Sequence, residues 1–123
     1  MTFAYWMILV AAFLPYATIF LAKNGARIDN RAPRISLEKL KGWRKRAVWA
    51  HSNHFEAFAP FAAAVIVAGL AHAPQNRIDF LAGAFILFRL VYTALYIGDK
   101  AGARSIVFVL GWLCVVALFV IGA

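Results

Sequence analysis

The chain has 123 residues, of which 64% are hydrophobic and 15% are charged, and its formal net charge is +8. Soluble domains are roughly 45–50% apolar, so this composition favours lipid over water as the solvent. Nine of the thirteen Lys and Arg residues lie between positions 23 and 46, directly after an apolar stretch. This placement indicates a topology signal with attraction to anionic headgroups, and it argues against nucleic-acid binding.

Four stretches are apolar and long enough to cross a bilayer as helices, which takes roughly 20 residues each. They cover about residues 2–22, 42–71, 78–98 and 105–121, and a basic loop, residues 23–43, follows the first. Ser36 in this loop is predicted to cap a short interfacial turn of helix. The whole chain is therefore predicted to be one domain, residues 1–123, with an all-α fold: an integral membrane four-helix bundle.

The charges of the loops predict how the helices are oriented in the membrane. The first loop is strongly basic, the second is neutral with Arg77 and Asp79 as solvated turn residues, and the third is weakly basic. Loops one and three are therefore expected in the cytoplasm, with both termini outside. The loops are minimal, which suggests a bacterial inner membrane.

Polar residues in the second stretch fall largely on one side of the predicted helix. At about 100° per residue, one sector of about 80° collects three polar residues together with a tryptophan and a proline. They are Arg46, Trp49, Asn53, Glu56 and Pro60. His51 points nearly the opposite way and is expected to bond another helix or the headgroup region, while His54 lies between the two directions.

The third stretch carries its own polar face, with Arg89, Tyr92, Tyr96 and Asp99 at spacings of three and four. Arg89 lies mid-span, where an unpaired charge costs roughly 2.5–3.5 kcal/mol on insertion scales. Glu56 is the only acidic residue inside the other three spans. We therefore predict an Arg89–Glu56 interaction, within one subunit or across a subunit boundary.

These clusters admit two interpretations. One is an inert polar clasp between helices, since such interhelical bonds are common in membranes. The other is a pocket for a small anionic, peptide-like ligand, in which Arg binds carboxylates, Glu an ammonium group and Asn an amide. A zinc site from His51, His54 and Glu56 is disfavoured because their helical phases scatter, and Cys114 stands alone in an apolar run. No metal is expected.

Two linked segments resemble a known family. The segment RAVWAHSNHFE, residues 46–56, followed by Phe58 and Pro60, resembles the second-helix signature of the MAPEG family, the membrane-associated proteins in eicosanoid and glutathione metabolism. The segment RLVYTALYIG, residues 89–98, followed by Arg104 and Ser105, resembles the third-helix signature and the start of the fourth helix. The resemblance covers essentially the whole chain and suggests a bacterial-type member.

The resemblance implies a homotrimer that binds glutathione as a co-substrate between subunits and uses its thiolate on a lipophilic electrophile or peroxide. It implies that Arg104 stabilises the thiolate and that Ser105 or Tyr96 donates a hydrogen bond to it. Lys23 or Arg27 would add a basic contact. The glutathione-binding residues that it implies are Asn53, Glu56, Arg89, Tyr92 and Tyr96, together with Arg46 and His51.

Two positions depart from the family pattern. Trp49 stands where many family enzymes have arginine, and Ser52 stands where some have a basic residue. The family also includes a non-enzymatic member that presents a fatty acid, so the fold alone leaves activity open. The alternatives are therefore a membrane protein that binds a lipid or another small anion without chemistry, and a purely structural membrane subunit.

Overall fold

The computed structural model of the chain describes all 123 residues, and it contains five helices and no strands. They are α1 (Phe3–Lys23), α2 (Pro33–Glu38), α3 (Trp43–Leu70), α4 (Gln75–Ile97) and α5 (Ala101–Gly122). All but α2 are long and apolar enough to cross a membrane, which confirms the predicted fold class of an all-α membrane bundle. The bounds of α1 and α3 lie within one residue of the predicted spans, while α4 and α5 begin three and four residues earlier.

The two central helices, α3 and α4, are buried along stripes with a spacing of three and four residues. On α3 the stripe is mostly alanine, which lets neighbouring helices approach closely. Its members are Ala47, Ala50, His54, Ala57, Phe61, Ala64 and Ala68. The ring of Phe61 stacks on that of Phe85 from α4, with centroids 4.0 Å apart. Helix α1 packs mainly against α3, and α5 packs mainly against α4.

The start of α4 is tied to the start of α1. One carboxylate oxygen of Asp79 accepts hydrogen bonds from the Ala4 amide at 3.0 Å and from the Gln75 side chain at 2.8 Å. The Asp79 carboxylate thereby satisfies an amide in the first turn of α1, where helix donors lack partners. Asp79 is a partly buried anchor between helices, so its interpretation as a solvated turn residue was wrong.

The short helix α2 begins four residues earlier than predicted, since its N-cap is Ala32 instead of Ser36. Ala32 is its N-cap residue and Pro33 its first helical residue, where a missing amide proton costs nothing. Ser36 lies inside the helix and its hydroxyl accepts a hydrogen bond from the Asp29 amide at 3.0 Å. The prediction that Ser36 caps the helix was therefore wrong, because the proline sets the start.

Three consecutive cations at the start of α3, Arg44, Lys45 and Arg46, bind the ends of three other helices, and we call them the helix-end cations. Arg44 Nη1 donates to the carbonyls of Ala22, at 2.8 Å, and Asn24, at 2.6 Å, where α1 ends. Such carbonyls have no partner inside their own helix, and the negative end of the helix dipole attracts a cation.

The other two helix-end cations act in the same way. Lys45 Nζ donates to the carbonyls of Leu37 and Glu38 at the end of α2, at 3.3 and 3.0 Å. Arg46 donates through Nε and Nη2 to the Ile97 carbonyl at the end of α4, at 3.1 and 3.0 Å. These bonds fix where α1, α2 and α4 end relative to the start of α3. We call this end of the bundle, where α5 also begins, the basic end.

Candidate functional site

A polar cavity of about 520 Å³ opens between α3 and α4 toward the basic end of the bundle. Six residues line it: Trp49, Ser52, Asn53, Glu56, Tyr92 and Tyr96. Trp49, Asn53 and Glu56 follow the helical stripe that the sequence predicts, and Tyr92 and Tyr96 follow the polar face of α4. Four of the residues that the resemblance assigns to glutathione therefore share one cavity.

Asn53 holds an unsatisfied polar atom in this cavity. Its amide nitrogen donates to Glu56 Oε2 at 3.1 Å, and because a carboxylate only accepts, this bond fixes the orientation of the amide. Asn53 Oδ1 then faces away from Glu56, is buried, and has no hydrogen-bond partner. Leaving such an acceptor unpaired costs about 1–3 kcal/mol. Asn53, which lines the cavity beside the exposed Glu56 carboxylate, thus keeps a buried acceptor that a ligand N–H group reaches when the Asn53 side chain turns.

Aromatic rings form the opposite wall and bring a cation to the cavity. Tyr92 and Tyr96 meet edge to face with centroids 5.6 Å apart, and Trp49 lies 6.3 Å from Tyr96. The guanidinium carbon of Arg104, on α5, lies 4.2 Å from the centre of the Tyr96 ring. Such a cation–π contact leaves the N–H groups of arginine free to bind an anion. Arg104 thus adds positive charge behind Tyr96 without lining the cavity itself.

Arg89 does not reach Glu56, so the predicted Arg89–Glu56 interaction is not formed within the chain. Arg89 is 4% exposed and bonds His54 Nδ1 through Nε, at 3.2 Å, and Nη2, at 2.9 Å. The Thr93 hydroxyl donates to the Arg89 carbonyl at 2.9 Å, so it accepts from His54 Nε2, 2.8 Å away. A neutral imidazole with its proton on Nε2 satisfies all of these bonds.

The Arg89–His54–Thr93 network is the polar clasp that the sequence left open as one of two interpretations. The Arg89 guanidinium lies 4.3 Å from the centre of the Tyr92 ring, on the buried side of the cavity wall. Helical phases placed His54 between the two polar directions and so missed it as a partner. The signal that would have found it is the alanine stripe of α3, because His54 occupies a buried position of that stripe.

Three further predicted site residues lie elsewhere. The guanidinium of Arg46 is bound to the end of α4 as a helix-end cation. His51 Nδ1 lies 2.6 Å from the Pro15 carbonyl of α1, in keeping with its predicted bond to another helix. Ser105 donates to the Ala101 carbonyl of its own helix at 3.1 Å and does not line the cavity. Within one chain, the structure therefore brings together only part of the predicted set.

A second cavity, of about 770 Å³, lies between the basic loop and α2. Arg27, Asp29 and Lys39 contribute its charged groups. Arg27, predicted as an extra basic contact for glutathione, thus lines this space and not the cavity between α3 and α4. Because the loop cavity contains no aromatic wall and none of the other predicted site residues, the smaller cavity is the candidate site.

Four membrane-length helices define an α-helical integral membrane protein, and a polar cavity lies near one end of its bundle. The chain belongs to the MAPEG family, since the sequence model of that family matches residues 3–123. This match confirms the resemblance seen in the two helix signatures. Neither the comparison with curated proteins nor that with solved structures gave a match.

Proposed function

We propose that this protein is a membrane-bound, glutathione-dependent transferase or peroxidase that acts on hydrophobic electrophiles. Membership of the MAPEG family supports glutathione-related chemistry in general. The observation that carries the proposal for this chain is the buried, unpaired Asn53 Oδ1 in a cavity that also contains Glu56 and two tyrosines. A tripeptide offers an amide donor for Asn53 Oδ1, which has none within the chain, and an ammonium group for the exposed Glu56 carboxylate, which already accepts one bond from Asn53.

Three residues that line the cavity and two arginines beside it have chemical roles in this proposal. Glu56 binds the ammonium group of glutathione, and Asn53 Oδ1 accepts from a peptide N–H. The Tyr96 hydroxyl donates a hydrogen bond to the sulfur, and the positive charge of Arg104 behind the Tyr96 ring favours the thiolate. Arg89 acts as a positioning residue, because its guanidinium supports the Tyr92 ring from the buried side.

The reaction needs a thiolate and an electrophile that arrives from the bilayer. The thiol proton leaves to water, and the sulfur lone pair forms a carbon–sulfur bond as the leaving group departs with its electron pair. With a hydroperoxide, the thiolate attacks the terminal oxygen, the O–O bond breaks, and the leaving alkoxide takes a proton from water to become an alcohol. The sulfenic acid formed on glutathione then reacts with the thiol of a second glutathione, which gives the disulfide and water. The residues of the chain hold the sulfur and stabilise its charge in both cases.

We also propose that the cavity is completed by a neighbouring subunit in a homotrimer. In the single chain the cavity is open, and Trp49 in its lining is half exposed, at 50%. Aromatic side chains of this kind are typical of protein interfaces. Cross-linking in native membranes followed by mass measurement would give a trimer, whereas a monomer or dimer would contradict this assembly.

The orientation follows the proposed positive-inside arrangement, with loops one and three in the cytoplasm of a bacterial inner membrane. A Cys114→Ala background allows single cysteines to be introduced at Lys39, in the first loop, and at His72, in the second. A membrane-impermeant thiol reagent added outside intact cells would label position 72 and not position 39. Labelling of position 39 and not of position 72 would show that the orientation in the membrane is the opposite of the one proposed.

A second candidate function is the binding of a lipid or another small anion without chemistry. Trp49 favours it, because this ring lines the cavity at a position where many family enzymes have arginine and makes the wall more apolar. This alternative predicts co-purified ligand and no turnover.

The deciding experiment is glutathione binding to the purified protein in detergent, followed at the ultraviolet band of the thiolate. The wild type should show the band at neutral pH, and Arg104→Ala should lose it. Arg77→Ala serves as the matched control, because Arg77 is exposed at the other end of the bundle. No binding at millimolar glutathione would overturn the proposal in favour of the second candidate.

A further inference from the structure

An apolar groove of about 300 Å³ runs between α1 and α4 and shares no residue with the candidate site. Aliphatic side chains and alanines form its walls: Leu14, Ala17 and Leu21 from α1, and Leu90, Ala94 and Ile97 from α4. Both helices run the length of the membrane-spanning bundle, so the groove lies at the depth of lipid acyl chains.

The two hydroxyl groups in the groove are already used. Thr18 donates to the Leu14 carbonyl at 2.7 Å, within its own helix. Thr93 donates to the Arg89 carbonyl and accepts from His54. The groove therefore offers its occupant packing surface and no unused hydroxyl donor, which suits a hydrocarbon chain.

Two helix-end cations lie where the groove reaches the basic end. Arg46 binds the carbonyl of Ile97, which itself lines the groove. Arg44 binds the carbonyl of Ala22, the residue after the groove-lining Leu21. The Arg46 guanidinium thus lies beside Ile97, the last groove residue of α4. The Arg44 guanidinium lies next to the last groove residue of α1, Leu21.

Trp43 occupies the same place. Its spacing from Ala47, Ala50 and His54 is four, three and four residues, so these residues share one face of α3. His54 on that face bonds Thr93, a residue of the groove. Trp43 is 39% exposed and its ring lies 4.5 Å from the Arg44 guanidinium carbon. Tryptophan side chains favour the headgroup level of a bilayer.

Both arginines keep donors for a further ligand. Arg44 uses only Nη1 for its carbonyl bonds, which leaves Nε and Nη2. Arg46 uses Nε and Nη2, which leaves Nη1. Since hydrogen bonding to a neutral carbonyl leaves the charge of arginine in place, the mouth of the groove carries two positive charges with unused N–H groups suited to phosphate.

We propose that the groove binds one acyl chain of an anionic phospholipid whose phosphate lies at Trp43, Arg44 and Arg46. An acyl chain is as well solvated by other lipids as by the groove, so packing positions the lipid and the charges select it. Each cation near the phosphate favours an anionic over a zwitterionic lipid by about five-fold. This binding is independent of the proposed glutathione chemistry.

The test is native mass spectrometry of the protein released from nanodiscs that contain equal amounts of phosphatidylglycerol and phosphatidylcholine of the same chain length. The wild type should retain phosphatidylglycerol in clear excess, by at least about five-fold. Arg44→Gln keeps an N–H donor for the helix end but removes a charge, and it should lower that excess about five-fold. Equal retention of both lipids by the wild type would overturn the proposal.

A second variant keeps the charges and fills the groove. Ala94→Phe should displace the retained phospholipid, whereas the control Val109→Phe, an exposed position on α5, should not. Unchanged retention in Ala94→Phe would overturn the groove as the binding site. If Ala94→Phe changes the number of subunits in the complex and leaves its lipid unchanged, a second copy of the chain covers the groove, and the proposal is wrong. A retained free fatty acid in place of a phospholipid would also contradict it.

Discussion

The helix-end cations and Arg104 lie at the same end of the bundle and carry the same charge, yet they contact different kinds of chemical group. Arg44, Lys45 and Arg46 bind backbone carbonyls at the ends of α1, α2 and α4. The Arg104 guanidinium lies over the ring of Tyr96 and forms no hydrogen bond within the chain. The carbonyl bonds of the helix-end cations stabilise helix ends and use part of their donors, whereas Arg104 keeps every guanidinium N–H group unused within the chain. The partner of each cation, more than its charge, indicates its role.

The largest expected effect is that of replacing Arg104, whose guanidinium donors are unused. Arg104→Ala should lower glutathione-dependent turnover by about 100- to 1,000-fold, the usual range for the loss of one group that stabilises a developing anion. Its thermal unfolding should change little, because Arg104 is only partly buried. Turnover with a hydrophobic electrophile and unfolding temperature, measured on the same preparation, separate the two effects. A matched loss of both would mean that Arg104 is structural.

The clasp between Arg89 and His54 should give the next largest effect. In a double-mutant cycle, Arg89→Met and His54→Phe should couple by about 1–3 kcal/mol, because each single change leaves a buried partner unpaired. Unfolding by sodium dodecyl sulfate would measure the free energies.

A parallel cycle provides the control for this coupling. Arg89→Met with Glu56→Gln should be close to additive, since Glu56 bonds Asn53 and not Arg89. Strong coupling in this second cycle would instead point to an ion pair formed across a subunit boundary.

Replacing a helix-end cation should have a smaller effect, and it should lower stability while leaving glutathione binding unchanged. Arg44→Met should lower the free energy of unfolding by about 1–2 kcal/mol, because two carbonyls at the end of α1 lose their charged donor. The thiolate band of bound glutathione should stay, since Arg44 does not line the candidate site. Arg31→Met is the control, because this exposed arginine of the same basic loop binds nothing through its guanidinium. Equal stability of both variants would show that the carbonyl bonds contribute little.

The smallest effect concerns the position at which the cavity lacks a cation. Trp49→Arg adds a positive charge to its lining and should tighten glutathione binding by about five-fold, as expected for a partly exposed ion pair. Calorimetric titration with glutathione would measure it, and Trp49→Leu controls for loss of the ring. Weaker binding in Trp49→Arg than in Trp49→Leu would show that this position does not face the anionic groups of the ligand.

Much of the fold and part of the site follow from the sequence. Apolar runs define the four membrane helices, and the stripe of Trp49, Asn53 and Glu56 anticipates one wall of the cavity. Helical phase describes a single helix, however, and hydrogen bonds depend on the helix opposite. Arg46 shares this stripe but binds the end of α4, and Arg89 finds His54 before it reaches Glu56. The basic segment reads from composition as a surface charge, while in the fold three of its cations have assigned partners.

The helix-end cations also imply an order of events during synthesis. The partners of Arg44 and Lys45 precede them in the chain, so both bonds can form as soon as the start of α3 leaves the ribosome. The partner of Arg46 is Ile97, which is translated 51 residues later. The first hairpin, α1 with α3, can therefore form while the Arg46 guanidinium still lacks its carbonyl partner at the membrane surface. When the end of α4 binds Arg46, the α3 and α4 walls of the candidate site lie side by side for the first time.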